Sequence, residues 1–268
     1  MSTAPTKGTL YLVPTPLDFG CDLPVLPPLS DVLPEQTLSI AANTIHWVTE
    51  NAKSTRAFLK RVNATHPLAQ PIQALHISEM PRALHKKGDF GAAPISDHEL
   101  QPLLAPALNG HSVGLVSEAG MPAIADPGAR IVRLAHKLGI PVMPLVGPSS
   151  LVLALAASGM NGQRFAFVGY LPQHTSERQQ AIEKLEARAH QQGETQVFIE
   201  TPFRNQALLD GLLKTLKPNT MLAVSSGLTL GPTTHEAGQK SFSAPASDWR
   251  QRPHGLDLSL PAVFAIAP

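Results

Sequence analysis

The chain has 268 residues, enough for two domains of about 100–150 residues or one large one. Its 43% hydrophobic content admits a sizeable core, and a net charge of +1 with 15% charged residues excludes a global positive field, so nucleic-acid binding would need a local patch. The single cysteine, Cys21, excludes an intrachain disulfide and fits a reducing compartment. The polar start MSTAPTKG and a longest apolar run of only Leu151–Ala157 carry no signal-peptide or membrane-span pattern. A cytoplasmic protein without membrane association is therefore expected.

Gly8–Val13 is an apolar run stopped by Pro14-Thr15-Pro16 and reads as a buried first strand, central in a parallel sheet. The prolines at 24, 27, 28 and 34 forbid a long helix there and leave room for a short one from Ser30. Leu38–Ala42 is expected to be a second strand, and Trp47–Asn51 a strand end meeting a helix over Ser54–Val62. Lys53, Arg56 and Lys60 share one face of that helix, by their i, i+3, i+7 spacing. A solvated face is the commoner meaning of that pattern, and a phosphate-binding surface the functional one. Ile72–Ile77 is a further strand candidate. Met80–Ile95 reads as a long connection, either a lid or a surface excursion. Ser96 and Glu99 stand at capping-box spacing before a helix to Leu108.

Ser112–Val116 leads into Ser117-Glu118-Ala119-Gly120-Met121-Pro122-Ala123-Ile124-Ala125-Asp126-Pro127-Gly128. A buried strand opening into small residues and then a helix is how open α/β sheets make ligand sites. Asp126 reads as an N-cap with Pro127 at the first helical position. Ile131, Leu134, Ala135 and Leu138 follow at helical spacing, and Gly139 suits the C′ position. Ile140–Val146 is the next strand. Gly147-Pro148-Ser149-Ser150 then forms a second strand-to-helix junction, whose helix ends near Gly159. Two such junctions in one parallel sheet point to a shared crevice.

A composition shift at Asn161-Gly162-Gln163 places a domain boundary there, giving an N-terminal α/β domain over 1–160 and a C-terminal one over 161–268. In the second half, Phe165–Gly169, Val197–Glu200, Met221–Ser226, Thr233–Phe242 and Ala262–Ile266 read as strands. Ser176 and Gln179 read as a capping box opening an amphipathic helix, and Ala207–Leu216 is another helix. Strands outnumber crossover helices, so this sheet is expected to be mixed.

The 11 histidines are scattered, with no HExxH and no cysteine pair, so no metal site is expected. P-loop and GxGxxG fingerprints are missing, and Gly147-Pro148-Ser149 lacks the final glycine of a hydrolase elbow. What remains is a crevice suited to an adenosine-type ligand held largely by main-chain groups.

Gly8–Pro16, Leu115–Gly128, Pro144–Ser150, Ala156–Gly159, Arg164–Pro172 and Phe198–Arg204 together resemble the tetrapyrrole methylase superfamily, the class III S-adenosylmethionine-dependent methyltransferases. Within it, the branch that methylates a cytidine 2′-O-ribose in small-subunit ribosomal RNA is the most similar. The resemblance implies two α/β domains, S-adenosylmethionine in a cleft between them, and a homodimer. It places the cofactor against Pro14, Ser117, Glu118, Ala119, Gly120, Met121, Ser149, Ser150, Tyr170, Leu171, Thr201, Ala223 and Val224. Lys53, Arg56 and Arg204 fall on the acceptor side. Glu50, Glu118 and Glu200 are the carboxylates nearest the crevice and the candidate bases, although capping or hydrogen bonding is the commoner role for each. The branch's Glu-Asp-Thr-Arg is here Glu50-Asn51-Ala52-Lys53, and its Ser-Asp-Ala-Gly is Ser117-Glu118-Ala119-Gly120. These changes leave three acceptor readings: RNA ribose, a tetrapyrrole-like small molecule, or none in a non-catalytic S-adenosylmethionine-binding protein.

Overall fold

The computed structural model describes residues 6–18, 21, 26–81, 95–230, 240–252 and 254–268. It divides into two compact units, 1–148 and 149–268. The first contains strands β1 (Leu10–Leu12), β2 (His46–Thr49), β3 (His76–Glu79), β4 (Val113–Val116) and β5 (Val142–Pro144), with helices α1 (Glu35–Asn43), α2 (Ala52–Asn63), α3 (Asp97–Leu108) and α4 (Ala129–Lys137). The strands form one sheet in the order β3-β2-β4-β1-β5, and every pairing in it is parallel. An all-parallel sheet must be covered on both faces, and it is. Val13, Trp47 and Val116 pack with α1 and α2 on one face. Leu10, Val48 and Leu115 pack with α3 and α4 on the other.

Register explains one glycine. Trp47 lies opposite Gly114, and a Cβ on Gly114 would come within 2.6 Å of the indole ring. The indole is 1% exposed, and its N–H donates to the Thr44 carbonyl at 3.0 Å. Truncating a side chain of this size in a core costs about 3–5 kcal/mol, and Gly114 is the residue that leaves it room.

The second unit contains α5 (Ser150–Ser158), β6 (Phe165–Tyr170), α6 (Thr175–Gln192), β7 (Thr195–Glu200), α7 (Pro202–Thr215), β8 (Met221–Ser226), β9 (Ser241–Pro245), α8 (Ala246–Trp249) and β10 (Ala262–Ala267). Its sheet runs β6-β7-β10-β8-β9. Only the β6–β7 pairing is parallel, which makes the sheet mixed as the strand-to-helix ratio implies. Leu151, Ala154 and Leu155 of α5 pack on Val197, Ala223 and Val263. That packing places α5 in the second unit, whereas the composition shift at 161 assigned it to the first.

Four local expectations need correction. Leu38–Ala42 is part of helix α1, not a strand. Pro34 supplies its extended N-cap, and Thr37, Leu38, Ala41 and Ala42 are buried at helical spacing, which a short apolar run does not reveal. Ile72–Ile77 begins as a 3-10 turn over Ile72–Ala74, and the strand starts only at His76. Ser176 does not cap α6: its N-cap is His174, with no side-chain cap bond. Asp126 does not cap α4, whose N-cap is Gly128 at φ 137°. The Ser96/Glu99 capping box does form, and Gly139 is left-handed at φ 63° behind α4. Residues 82–94 of the expected Met80–Ile95 connection, Pro24 of the proline-rich segment and most of the Thr233–Phe242 strand lie outside the described residues.

Candidate functional site

Chain direction makes a crevice at the carboxyl end of the first sheet. After β1 and β2 the chain turns toward the face carrying α1 and α2, and after β4 toward the face carrying α4. Strand β4 sits between β2 and β1, so the loop leaving it parts from the loops on both sides. This is a topological switch point, the usual ligand position in open α/β sheets.

The loops around it are held by backbone contacts. Val13 N–H donates to the Leu115 carbonyl at 2.8 Å, and Thr15 and Gly120 exchange hydrogen bonds of 3.0 and 3.1 Å. Gly120 is left-handed at φ 75°, and a Cβ there would approach Leu17 to 2.9 Å. On the other side of β1, a Cβ on Gly147 would lie 2.3 Å from the Pro14 ring. These glycines let the backbones come together. Thr37 Oγ1 donates to the Val146 carbonyl at 2.8 Å, which fixes the chain leaving β5 against α1.

Carboxylates gather on the β2 and β4 loops. Glu50 N–H donates to the Val116 carbonyl at 3.3 Å, and Glu50 Oε2 accepts from the Glu118 N–H at 3.3 Å. Asp126 is half-buried, and its pKa is pushed up to about 7. Burial is the largest cause, followed by the Glu50 charge. The nearby Ser117 hydroxyl favours the carboxylate and holds the rise back, while Glu118 adds to it. Ser117 Oγ is buried and makes no hydrogen bond of normal geometry. Ala123 and Ala125 both adopt left-handed φ, 67° and 65°. Each costs about 1–2 kcal/mol for an L-residue, so the surrounding structure dictates this path.

A pocket of about 460 Å³ opens beside the same loops. Thr15, Asn51, Lys53, Phe58, Arg61 and Glu118 are among the residues that line it. Asn51 Oδ1 caps α2 by accepting from the N–H of Lys53 and Ser54. Arg61 bonds Asp18 at 2.7 Å and the Pro27 carbonyl at 2.9 Å, tying α2 to the segments that follow β1.

The structure brings Pro14, Ser117, Glu118, Ala119, Gly120, Met121 and Glu50 to this one sheet end. Lys53 and Arg56 are exposed on the first turns of α2, and Arg56 reaches only the Ala52 carbonyl among the described residues. In the second unit, Ser149 is the N-cap of α5 and Ser150 its first residue. Tyr170 ends β6, 55% exposed. Thr201 is the N-cap of α7; its N–H donates to Glu200 Oε1 at 2.7 Å, and the same oxygen pairs with Arg204 at 2.6 Å. Leu171, Ala223 and Val224 are buried core side chains. Sequence reasoning passed over Thr15, Arg61 and Asp126 as site residues. Asp-Pro-Gly carries a strong helix-start signal, and nothing local announces that Glu50 and Glu118 stand beside it.

An all-parallel unit with ligand loops after β1 and β4, followed by a mixed-sheet unit, defines a two-unit α/β protein. Residues 48–231 match the family described as Tetrapyrrole (Corrin/Porphyrin) Methylases, and the chain belongs to that family. The ribosomal RNA small subunit methyltransferase I of Xylella fastidiosa is 32% identical over 224 residues, which cover 84% of this chain and 70% of that protein. The protein of the same name from Halalkalibacterium halodurans is 32% identical over 207 residues, 77% and 60% of the two chains. The chain thus spans about 60–70% of the length of these curated relatives. The crystal structure of the methyltransferase CobJ shares the fold, with a TM-score of 0.54 at 14% identity over 97% of this chain and 94% of that one. No helix among the described residues is long and apolar enough to cross a membrane.

Proposed function

We propose that this protein is an S-adenosylmethionine-dependent methyltransferase whose acceptor is a ribose 2′-hydroxyl in small-subunit ribosomal RNA. The observation that carries the reading is that the family match spans Glu50 and the whole Ser117–Gly128 loop, the segment pinned at the switch point. The relatives named above supply the acceptor class. The residues fit the donor: Gly120 and Gly147 let the loops after β4 and β5 close on the loop after β1, and the buried Ser117 hydroxyl has no hydrogen-bond partner among the described residues. The donor is already activated, its sulfonium offering a methyl carbon for in-line displacement. The protein's share of the work is therefore alignment and exclusion of water. Pro14 and the Ser117–Met121 loop would hold the donor. On the acceptor side, the exposed Lys53, Arg56 and Lys60 provide the local positive surface that a net charge of +1 does not. We place the protein in the cytoplasm as a homodimer. The exposed Val152, Phe165 and Phe167 of the second unit support self-association, and sedimentation would show a dimer mass.

The test is transfer of labelled methyl from S-adenosylmethionine into a cell extract fractionated into RNA, protein and small molecules. Label in ribosomal RNA is expected. Label confined to small molecules would replace the acceptor with a tetrapyrrole-like one. Tight donor binding without turnover in any fraction would indicate a regulatory binder. No calorimetric binding of S-adenosylmethionine or S-adenosylhomocysteine would end the reading.

A further inference from the structure

The pocket beside the crevice has two kinds of wall. Pro16, Leu26 and Phe58 give it an apolar side, and Phe58 is fixed there by its packing in the core under α2. Thr15, Asn51 and Glu118 give it a polar side. Its volume of about 460 Å³ falls within the range of about 300–1,000 Å³ usual for small-ligand sites, with room for one nucleoside. Arg61 and Asp18 line it too, but they bond each other at 2.7 Å, and Arg61 also holds the Pro27 carbonyl. That clasp keeps the wall in shape and leaves Lys53 as the cation available to a ligand.

Lys53 lines the pocket and is exposed. Arg56 and Lys60 continue from it along an exposed stripe of α2, by their helical spacing. None of the three forms an ion pair among the described residues. Asn51 is oriented by its capping role, since its Oδ1 accepts from the Lys53 and Ser54 N–H groups at 2.8 and 3.4 Å. Its amide nitrogen has no partner among the described residues and is a donor left for a ligand. A half-apolar pocket for one flat ring, with a row of cations leading from its rim, suits a base splayed out of an RNA strand.

We propose that this pocket takes one unpaired nucleoside of the RNA acceptor, with Asn51 Nδ2 donating to the base edge and Lys53 meeting the neighbouring phosphate. The inference rests on the methyl-transfer reading above and deepens it by saying where the strand lies. The base packs against the Phe58 side. Thr15 and Glu118 belong to the two loops bridged at Thr15 and Gly120, so a ribose at that end of the pocket meets the loop proposed for the donor. The phosphates that follow run along Lys53, Arg56 and Lys60. A base held in a duplex stays in its stack and does not enter, so single strands are preferred. Arg61 is a positioning residue, acting through Asp18 and the Pro27 carbonyl.

The experiment measures, by fluorescence anisotropy over a salt series, how the whole chain binds a short single-stranded RNA and the duplex of the same sequence. It also measures kcat and KM on small-subunit ribosomal RNA from cells lacking the modification. Asn51→Asp keeps the helix cap, because aspartate caps as well as asparagine, so its melting midpoint should match the wild type. It loses the donor, so its single-strand affinity should fall about tenfold, with KM rising in step and S-adenosylmethionine affinity unchanged by calorimetry. Lys53→Gln should reduce the slope of log affinity against log salt by about 0.7. Lys184→Gln, an exposed cation on α6, should change neither. The wild type should bind the single strand more tightly than the duplex. Wild-type affinity and salt slope in both pocket variants, or equal binding of duplex and single strand, would overturn the proposal, while label in ribosomal RNA kept the methyl-transfer reading. A wild type that labels no RNA and binds neither S-adenosylmethionine nor S-adenosylhomocysteine would overturn both.

Discussion

Thr15 and Gly120 exchange two backbone hydrogen bonds, 3.0 and 3.1 Å long, although they follow different strands. This bridge makes one structural unit of the loops after β1 and β4, and it depends on Gly120 holding φ 75°.

Gly120→Ala tests the bridge. The new Cβ would meet Leu17 at 2.9 Å in a left-handed backbone. Leu17 can give a little, so the expected loss is about 1–2 kcal/mol of stability. Donor affinity should fall more than tenfold because the loop shifts. Denaturant melts and calorimetry measure the two, and unchanged donor affinity would separate the bridge from the donor site.

Gly147→Ala should be costlier to the fold. Its Cβ would lie 2.3 and 2.5 Å from two Pro14 ring carbons, and a proline ring cannot rotate away. The β1 and β5 loops would have to separate, at about 2–3 kcal/mol. A thermal midpoint within a degree of the wild type would contradict this.

Stability should depend on pH through Asp126, with a sign opposite to that of a salt-bridged acid. Its folded pKa is raised to about 7, above the unfolded value of about 4. Between those values the folded protein keeps a proton that the unfolded chain has lost, so this residue's contribution falls as pH rises and is lowest above about 7. Partial exposure reduces the penalty to about 2 kcal/mol. Asp126→Asn should accordingly be more stable than the wild type at pH 8 and about equal at pH 4, as read by melts at both values.

Glu200→Gln should weaken the start of α7. Glu200 is 5% exposed, and Oε1 accepts from the Thr201 N–H at 2.7 Å and pairs with Arg204 at 2.6 Å. The amide can keep one bond but not the charge, and Arg204 loses its partner. The expected cost is about 1–3 kcal/mol. Hydrogen exchange should rise first at Thr201–Asn205.

Local chemistry was readable from the chain alone wherever its cause lies within a few residues. The Ser96/Glu99 box spans one helical turn, so it forms as written. The small-residue loop after β4 and the mixed second sheet were equally visible, from glycine and proline placement and from strand count. The ambiguous elements were those whose partners are distant. Leu38–Ala42 is apolar either as strand or helix, and packing against Val13 and Trp47 made it helical. Asp126-Pro127-Gly128 has the residues of a helix start, yet burial, and after it the charge of Glu50 from far back in the chain, raises the pKa of its aspartate. Spacing along the chain determines caps, turns and periodicity, because those interactions reach only one turn. The tertiary structure alone decides which charges meet, because burial and Coulomb repulsion act through space between segments that the sequence keeps apart.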